Sequence, residues 1–485
     1  MKENLPPGVN LVRPHVYELP LGYRPGMRVP GYIYADEDLI VTAGEDKAIE
    51  QVANVAFLPG IVRASYAMPD IHWGYGFPIG GVAATRPEDG VVSPGGVGFD
   101  ISCGVRLLRT ELEAADAKER LRILMHELSR NIPKGLGGRG KIRLGYDQID
   151  EVLSTGAAWC VRNGYGVPED LDAIEQGGTY KSADPGLVSQ HAKERGLNQL
   201  GTVGSGNHFV EVQEVAEIYH EEAARAFGLF PGQLTVMIHT GSRGLGHQVC
   251  TDYLKVMGRV MTERGYDLPD RQLACAPIDS PAGRNYMGAM AAAANFGLAN
   301  REAIAHWVRQ SFATLFGAGP EALGMRLVYD ISHNMAQFEN HEVDGRTVEL
   351  CVHRKGATRA FGPGRPEVPP AYRNVGQPVM IPGDMGTASY VLVGTDQSMK
   401  EAWGSTCHGA GRVMSRKAAV KKMRGPALLQ ELAAKGIVIE AGNVRTLSEE
   451  APYAYKDVSR VVDVCEAAGL SKKVAKLRPL GVLKG

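Results

Sequence analysis

One glycine-rich stretch, Ser93 to Arg106, limits how this chain can fold more than any other part of the sequence. Its closely spaced glycines permit backbone conformations that other residues avoid, so the stretch predicts a turn rather than a core strand. Asp100 and Cys103 stand three residues apart in this turn, and the apolar run Val105 to Leu108 predicts a strand that anchors it. A carboxylate and a thiol at this spacing suit two ligands of a metal ion. Taken alone, the pair is explained more simply by a buried cysteine beside an aspartate that caps the turn.

Three histidines stand at equivalent places in other predicted strands. His208 lies where a glycine loop meets an alternating strand, His239 ends the apolar run from Leu234, and His333 follows the strand from Arg326. A rigid scaffold often presents functional side chains at strand ends. One histidine there is usually structural, but three beside an aspartate and a cysteine suit a transition-metal site. Five ligands exceed the needs of one tetrahedral ion, so a thiolate that bridges two ions would account for the set, an arrangement suited to phosphoryl chemistry.

His408 has a different setting, the sequence Cys-His-Gly-Ala-Gly-Arg, which ends at Arg412. The backbone N–H groups of the small residues could receive a phosphate, and a histidine among them could act as acid, base or nucleophile. The alternative is the first turn of a helix with an incidental histidine. The chain has no G-x-x-x-x-G-K-[ST] loop and no K-x-D-G lysine nucleophile, so covalent handling of a nucleotide would have to use histidine instead of lysine.

Composition excludes several classes of protein. The net charge of -1 means that any contact with nucleic acid depends on local patches, such as Arg416 to Arg424 and the basic tail Lys472 to Lys484, although such runs are usually solvated surface. The 7 cysteines are scattered and form no C-x-x-C pair, which favours reduced thiols over disulfides or a zinc ribbon. The first residues contain no apolar signal region and no segment is long enough to span a membrane, so we expect a cytoplasmic protein without membrane contact.

The pattern of predicted elements indicates a mixed α/β chain, in the α+β class. A helix is predicted over Ala114 to Asn131 and a long one over Arg284 to Phe316, the first part of which should be buried. Met68 to Gly81 is predicted as a loop, and the stretch Pro382 to Ser389 as the turn of a hairpin. No fixed-period repeat and no clear linker divides the sequence, so residues 1–485 are expected to form a single domain.

Five motifs, taken together and in order, resemble those of the RtcB family of RNA-splicing ligases. They are Gly-Phe-Asp-Ile-Ser-Cys-Gly-Val-Arg, Gly-Ser-Gly-Asn-His-Phe, His-Thr-Gly-Ser-Arg-Gly-Leu-Gly-His, Ile-Ser-His-Asn and Cys-His-Gly-Ala-Gly-Arg. The resemblance runs from Met68 to Lys484. It implies one large compact fold peculiar to this family. It also implies a GTP- and Mn²⁺-dependent RNA ligase, acting in tRNA splicing or RNA repair, that joins a 3′-phosphate or 2′,3′-cyclic phosphate end to a 5′-hydroxyl end.

The resemblance also implies roles for single residues. Cys103 would bridge two Mn²⁺ ions, with Asp100 and His208 completing one and His239 and His333 the other. His408 would be guanylylated, with its imidazole oriented by Asp70. The residues implied for the RNA phosphates are Arg243, Lys355 and Arg412. The residues implied for the guanine nucleotide are Asn207, His208, Phe209, Val210, Glu211, His333, Asn334, Pro382, Gly383, Asp384, Met385, Ser389, His408, Gly409, Ala410, Gly411, Tyr455 and Lys484.

One position departs from the family pattern, because Asp384 stands where some members have serine. An acid that faced a nucleotide phosphate would repel it, whereas the same acid could hydrogen-bond guanine or a metal-bound water.

The implied reaction opens any cyclic phosphate, guanylylates His408 with release of pyrophosphate, passes GMP to the RNA 3′-phosphate and lets the 5′-hydroxyl displace GMP. Its partners would be GTP and RNA, either tRNA halves or broken RNA, and an archease-type activator is compatible with the resemblance. Two rival classes remain. A metal-dependent phosphodiesterase or phosphatase acting on RNA ends would need the metal ligands but no histidine nucleophile. An RNA-binding or chaperone module would use the metal for structure alone.

Overall fold

Two large β-sheets carry the residues that the sequence singles out. The computed structural model describes residues 5–135 and 137–485, and at Arg445 only the backbone. The expectation that the chain starts without a signal region rests partly on residues 1–4, which lie outside this range. The strands in chain order are β1 Asn10–Arg13, β2 Val16–Leu19, β3 Gly31–Tyr34, β4 Ile61–His72, β5 Ile79–Thr85, β6 Val91–Val92, β7 Gly104–Glu113, β8 Phe209–Ile218, β9 Gln233–Thr240, β10 Ala276–Pro277, β11 Arg326–Ser332, β12 Asn334–Val343, β13 Arg346–Lys355, β14 Ala357–Arg359, β15 Pro378–Ile381, β16 Ser389–Gly394, β17 Ser405–Cys407, β18 Val438–Ala441 and β19 Ser471–Lys484.

Helices alternate irregularly with these strands, and the α+β class expected from the sequence is confirmed. In chain order the helices are α1 Glu37–Glu45, α2 Ala48–Val55, α3 Ala114–Ala117, α4 Leu121–Asn131, α5 Tyr146–Thr155, α6 Ala157–Arg162, α7 Gln190–Gly196, α8 Glu221–Phe227, α9 Arg243–Glu263, α10 Pro281–Phe316, α11 Asp396–Ala402, α12 Arg416–Lys422, α13 Gly425–Ala434, α14 Val444–Leu447 and α15 Val458–Ala467.

The first sheet has the strand order β1-β2-β3-β4-β5-β13-β12, and the second has the order β11-β7-β9-β8-β19-β16-β15. Most neighbours are antiparallel, but β3 pairs with β4, and β18 with β19, in parallel. Two short ladders, β6 with β10 and β14 with β17, complete the pairing. The β14–β17 ladder leads directly into His408.

The second sheet brings the predicted ligands to one edge because its neighbouring strands run antiparallel. Gly104, which begins β7, opposes both Thr240 at the end of β9 and Ser332 at the end of β11. Phe209, which begins β8, opposes His239. The residues just before β7 and β8 therefore lie beside the residues at the ends of β9 and β11.

The chain passes from the second sheet to the first at His333, the single residue between β11 and β12. Its N–H donates to the carbonyl oxygen of Cys103 at 2.8 Å, and its own carbonyl accepts from the N–H of Ala357 at 3.2 Å. The backbone at the junction is thereby fixed from both sides.

The long helix α10 forms the core beneath the second sheet. It begins at Pro281, where the side chain of Ser280 caps it by accepting from Gly283 N at 3.1 Å, and it ends at Phe316, which is followed by Gly317 with φ +67°. Every residue from Gly288 to Ala305 is buried, which confirms the predicted buried helix. α4, α5, α6 and α9 pack around it. Among the residues described, no helix combines the length and the apolar character that crossing a membrane would need.

One prediction about local structure was wrong, and one segment whose role the sequence left open is part of a sheet. Met68 to Gly81, predicted as a loop, is the end of β4, a short connection and the start of β5. The register of β4 against β5 shifts between Ala67 and His72, so the stretch lacks a regular strand pattern. The basic tail Lys472 to Lys484, for which solvated surface and nucleic-acid contact were both open, is almost all of β19, an interior strand of the second sheet; Lys472 and Arg478 are exposed, whereas Lys484 is buried.

Candidate active site

Asp100, Cys103, His208, His239 and His333 lie together at the edge of the second sheet. Cys103 Sγ is 3.3 Å from Nε2 of His208 and 3.4 Å from Nε2 of His239. His239 Nε2 lies 3.3 Å from His333 Nε2, and His208 Nε2 lies 3.0 Å from Oδ2 of Asp100. The five side chains thus form two groups, one with Asp100 and His208 and one with His239 and His333, that share the sulfur of Cys103.

Burial and the neighbouring groups together set the pKa values in this cluster. Burial and the neighbouring imidazoles hold the pKa values of His239 and His333 well below the ordinary value, so both rings are neutral and keep a lone pair. Burial and the adjacent Asp100 carboxylate raise the pKa of the Cys103 thiol. Burial alone would raise the pKa of Asp100, but the hydrogen bond and charge of His208 outweigh it and lower that pKa.

The donor set fits a pair of transition-metal ions. Oδ1 of Asp100 is buried and has no hydrogen-bond partner among the described residues, and a cation would satisfy such an oxygen. Gly241 permits this position, because a Cβ atom there would lie 2.6 Å from each oxygen of the Asp100 carboxylate. A carboxylate, a sulfur and neutral imidazoles favour Zn²⁺, Fe²⁺, Co²⁺ or Mn²⁺ over Ca²⁺ or Mg²⁺.

Arg301, a residue of the buried helix α10, supports the cluster from below. Its Nη1 donates to the carbonyl oxygens of Ser102 at 2.6 Å and Thr240 at 3.0 Å, the residues beside Cys103 and His239. Ser102 has φ +55°, a left-handed conformation that costs energy for a residue other than glycine. Arg301 is itself held by Asp330, whose Oδ1 accepts from its Nε at 2.9 Å.

His408 and Asp70 form a second unit beside the cluster. Oδ2 of the fully buried Asp70 is 2.5 Å from His408 Nδ1, and it accepts the N–H groups of His408 at 3.0 Å and Gly409 at 3.2 Å. Burial alone would raise the pKa of Asp70, but the charge and hydrogen bonds of His408 outweigh it and lower that pKa. The imidazole of His408 packs edge-on against His333, with 4.9 Å between ring centroids. His408 therefore joins the Asp70 carboxylate to the ligand cluster.

Two features fix the loop after His408. Gly411 has φ +75°, and a Cβ atom there would lie 2.3 Å from the carbonyl oxygen of Asp70, so only glycine fits. His72 Nδ1 lies 2.9 Å from that same oxygen, and burial lowers the pKa of His72 to about 3, which leaves its ring neutral. The ring can therefore donate to the Asp70 carbonyl through Nδ1–H.

A cavity of about 520 Å³ opens over the cluster and His408. Most residues implied for the guanine nucleotide line it: Asn207, His208, Phe209, Glu211, His333, Asn334, Pro382, Gly383, Asp384, Met385, His408, Gly409, Ala410, Gly411, Tyr455 and Lys484. Val210 and Ser389 do not line it, because Val210 is buried in the core and Ser389 Oγ lies behind the loop, where it accepts from Gly383 N at 3.3 Å. Arg243 and Arg412 reach the wall, whereas buried Lys355 donates to the carbonyl oxygens of Tyr75 and Phe77.

One end of the cavity, the Glu211 end, is formed by Phe209, Glu211, Asp384, Tyr455 and Lys484. Burial raises the pKa of Glu211 to about 8, so this acid is mostly protonated at neutral pH. Its Oε1 accepts from Gln213 Nε2 at 2.6 Å. The ammonium group of Lys484 lies 5.6 Å from the centre of the Phe209 ring.

The carboxylate of Asp384 is engaged within its own loop. Oδ1 accepts from Gly386 N and Oδ2 from Thr387 Oγ1, both at 2.8 Å. The position that departs from the family pattern therefore shapes the turn between β15 and β16.

Three cations border the same end of the cavity, namely Arg412, Arg416 and Lys484. They surround buried Glu450, whose Oε2 accepts from Arg412 at 3.0 Å and whose Oε1 accepts from Arg416 at 3.1 Å. Because Glu211 is mostly neutral, cations outnumber ionised acids among these residues, which suits a polyanionic ligand.

Several supporting residues were not identified from the sequence: His72, Arg301 and Lys456. Arg301 had a detectable signal, because Asn300-Arg301-Glu302 interrupts an otherwise apolar helix with polar residues. His72 and Lys456 lie in stretches whose strand and turn structure the pattern does not reveal.

Comparison with known proteins gives a consistent result. The family model described as tRNA-splicing ligase RtcB matches residues 51–485. Relatives named tRNA-splicing ligase RtcB include one from Archaeoglobus fulgidus, 56% identical over 469 residues and covering 97% of each chain. The relative from Thermococcus kodakarensis is 55% identical, and the match covers 95% of each chain. The relative from Methanococcus maripaludis is 53% identical, and the match covers 98% of this chain and 99% of the relative.

Proposed function

Because this chain belongs to the RtcB family and is an RNA ligase, we propose that it joins a 3′-phosphate or 2′,3′-cyclic phosphate RNA end to a 5′-hydroxyl end, with GTP and two Mn²⁺ ions, through a guanylylated His408. The reaction would serve tRNA splicing, as the names of its relatives say of them, or the repair of broken RNA.

One observation carries this proposal: His408, paired with a buried carboxylate, faces the same cavity as the five-residue ligand cluster. A phosphodiesterase would need the cluster but not the His408–Asp70 pair. A histidine with one nitrogen held by an acid and the other left available is suited to nucleophilic attack.

The chemistry at His408 follows from its hydrogen bonds. Asp70 accepts the proton on Nδ1, so the lone pair of the neutral ring lies on Nε2. Attack by Nε2 on the α-phosphorus of GTP forms an N–P bond and breaks the bond to the bridging oxygen, so that pyrophosphate leaves. Asp70 stabilises the positive charge that then forms on the imidazole.

Asp100, Cys103 and His208 would hold one Mn²⁺ ion, and Cys103, His239 and His333 the other. When bound, the ions would neutralise the negative charge that phosphoryl transfer places on oxygen. The protein groups supply a rigid frame, since Arg301 fixes the backbone beside Cys103 and His239.

The Glu211 end of the cavity would bind GTP. Phe209 and Tyr455 offer ring surfaces, and Arg412, Arg416 and Lys484 offer charge to the phosphates. A protonated Glu211 can approach a nucleotide without the repulsion that a carboxylate would cause.

The later steps would use the same phosphorus atoms. Hydrolysis first opens a cyclic phosphate. An oxygen of the RNA 3′-phosphate then attacks the guanylyl phosphorus and releases His408, which leaves the RNA capped by a pyrophosphate-linked guanosine. The 5′-hydroxyl attacks the original RNA phosphorus, and GMP departs. Arg243 and Arg412, which line the cavity, would hold the RNA phosphates.

The test is incubation with GTP labelled at the α-phosphorus and Mn²⁺. We expect label on the wild-type protein that acid removes and alkali spares, as for an N–P bond, and none on His408→Ala. His191→Ala, which changes an exposed histidine on α7, should label like the wild type. Persistent label on His408→Ala would show that the nucleophile is misassigned.

A second assay separates the ligase from a phosphodiesterase. A 3′-phosphate RNA and a 5′-hydroxyl RNA should be joined only when GTP is present. Removal of the cyclic phosphate without any joining, at every GTP concentration, would favour the phosphodiesterase.

A further inference from the structure

A stack of aromatic rings lies on a part of the cavity wall that the nucleotide residues do not use. The rings of Phe99 and His247 are stacked, with 4.8 Å between centroids and 25° between planes. Tyr75 packs edge-on against Phe99 at 5.3 Å. Phe99 and His247 both line the cavity, and we call this pair the aromatic shelf.

The aromatic shelf borders the ligand cluster directly, because Phe99 precedes Asp100 in the chain. His247 is exposed, and Phe99 is only half-buried. Phe99 packs one side of its ring against the hydrophobic core, but the ring of His247 is exposed at the cavity, so core packing does not account for its place in the stack.

Positive charge accompanies the shelf. Arg195 is exposed on the same wall, and its Nη1 donates to Gln248 Oε1 at 3.1 Å, next to His247. Arg243 lies four residues before His247 on α9 and also lines the cavity. Flat rings beside guanidinium groups are the combination with which proteins hold the bases and phosphates of single-stranded nucleic acid.

We propose that the aromatic shelf is a stacking subsite for the base of a terminal RNA nucleotide, placed so that the end of the strand reaches the ligand cluster. The inference rests on the proposed function, since it assumes that RNA ends enter this cavity. A base laid on the ring of His247 extends the stack that Phe99 and Tyr75 begin, and the adjoining phosphate faces Arg195.

The subsite recognises a ring and not a sequence, because every base offers a flat face. This matches an enzyme that must accept different RNA ends. Stacking of this kind is worth about 1–3 kcal/mol for each base, which corresponds to roughly 5- to 150-fold in affinity.

The test measures joining of a 3′-phosphate RNA to a 5′-hydroxyl RNA by enzyme that has already been guanylylated, with rates normalised to the labelled fraction. We expect His247→Ala to raise the KM for RNA about tenfold and His247→Phe, which keeps a ring, to restore most of it. Lys255→Ala, an exposed change on the same helix, is the matched control and should leave the KM unchanged.

RNA that lacks one terminal base identifies the contact. With the base removed from the strand that uses the shelf, wild type and His247→Ala should have the same KM. Removing the base in turn from the 3′-phosphate strand and the 5′-hydroxyl strand tells which strand is bound.

Two outcomes would overturn the proposal: an unchanged KM in His247→Ala, or an equal rise on intact RNA and on both RNAs without a terminal base. A wild-type enzyme that neither labels nor ligates would instead contradict the proposed function. The two failures are therefore distinguishable.

Discussion

Lys456 holds Asp70 from two sides, because its ammonium group donates to the carbonyl oxygens of Pro69 at 3.2 Å and Ile71 at 2.5 Å. The backbone N–H of Lys456 donates to the carbonyl oxygen of Gly411 at 2.9 Å. One buried residue thus ties the strand that carries Asp70 to the loop that follows His408. The distance between the acid and the imidazole depends on this link.

Replacing Lys456 should therefore slow guanylylation more than it affects nucleotide binding. Lys456→Met keeps the length of the side chain but loses the donors, and we expect the rate of labelling by GTP to fall about tenfold with little change in KM. Single-turnover labelling measures both. Lys435→Met, on a half-exposed lysine, is the control, and an unchanged rate in Lys456→Met would show that the link is dispensable.

Asp70→Asn should preserve the shape of the site and lose its charge. An amide cannot stabilise the imidazolium or select the same tautomer, so the guanylylation rate should fall by roughly 10²- to 10⁴-fold. Asp172→Asn, on an exposed side chain, should label normally. A loss of less than threefold at Asp70 would argue that the carboxylate serves structure alone.

Cys103→Ala should release both metal ions, since its sulfur belongs to both ligand groups. Asp100→Ala should release one ion, because the group of Cys103, His239 and His333 stays complete. Elemental analysis of protein loaded with Mn²⁺ gives the stoichiometry, with His306→Ala, which lies outside the cluster, as control. Two ions retained by Cys103→Ala would contradict a shared sulfur.

The protonation of Glu211 makes stability depend on pH. Its pKa is raised from 4.5 to about 8, so between these values the folded protein keeps a proton that the unfolded chain releases. The free energy of unfolding should therefore fall as pH rises through this window and level off above about pH 8. Glu211→Gln should flatten this slope in urea titrations, and Glu217→Gln, exposed on the same strand, should not. If the free energy of unfolding depends on pH in the same way in the wild type and in Glu211→Gln, Glu211 is not protonated in the folded protein.

Arg301→Met should destabilise the fold and weaken metal binding together. The change leaves the buried carbonyls of Ser102 and Thr240 without their donor and removes one partner of Asp330, at a cost of about 3–5 kcal/mol. Denaturant unfolding measures the loss, and Mn²⁺ titration of the folded fraction measures affinity. If the variant is less stable but binds Mn²⁺ with unchanged affinity, Arg301 contributes to folding stability and not to metal binding.

The sequence predicts those parts of the molecule whose pattern is local. The apolar stripe of Leu121, Leu124, Met125 and Leu128 predicts one face of a helix, and all four are buried in α4. The sequence also predicts that His208, His239 and His333 stand at the ends of strands, since each has glycine or small polar neighbours. That these ends meet at one edge is a property of antiparallel pairing between distant strands, which no local pattern contains.

The basic segment after Ser471 shows why other parts could not be predicted. Its lysines and arginines suggest a solvated tail, yet Val474, Leu477 and Val482 are buried on an interior strand. Register shifts near Leu477 and Pro479 break the alternation that would have identified a strand. The polar interruption at Arg301 marks that residue in the sequence, but the carbonyl groups that Arg301 and Lys456 bind lie far away in the chain, so no local pattern predicts these contacts.

The place of His333 between the two sheets has a consequence for how the protein responds to its metal. His333 is the single residue between β11 and β12. An ion held by His333 and by Cys103 would therefore link this junction to the second sheet. Such a ligand set exists only in the folded chain, so occupancy raises the melting temperature in step with free ion concentration. Chelation of the ions would then lower the melting temperature, and the metal supply would affect the stability of the enzyme as well as its turnover.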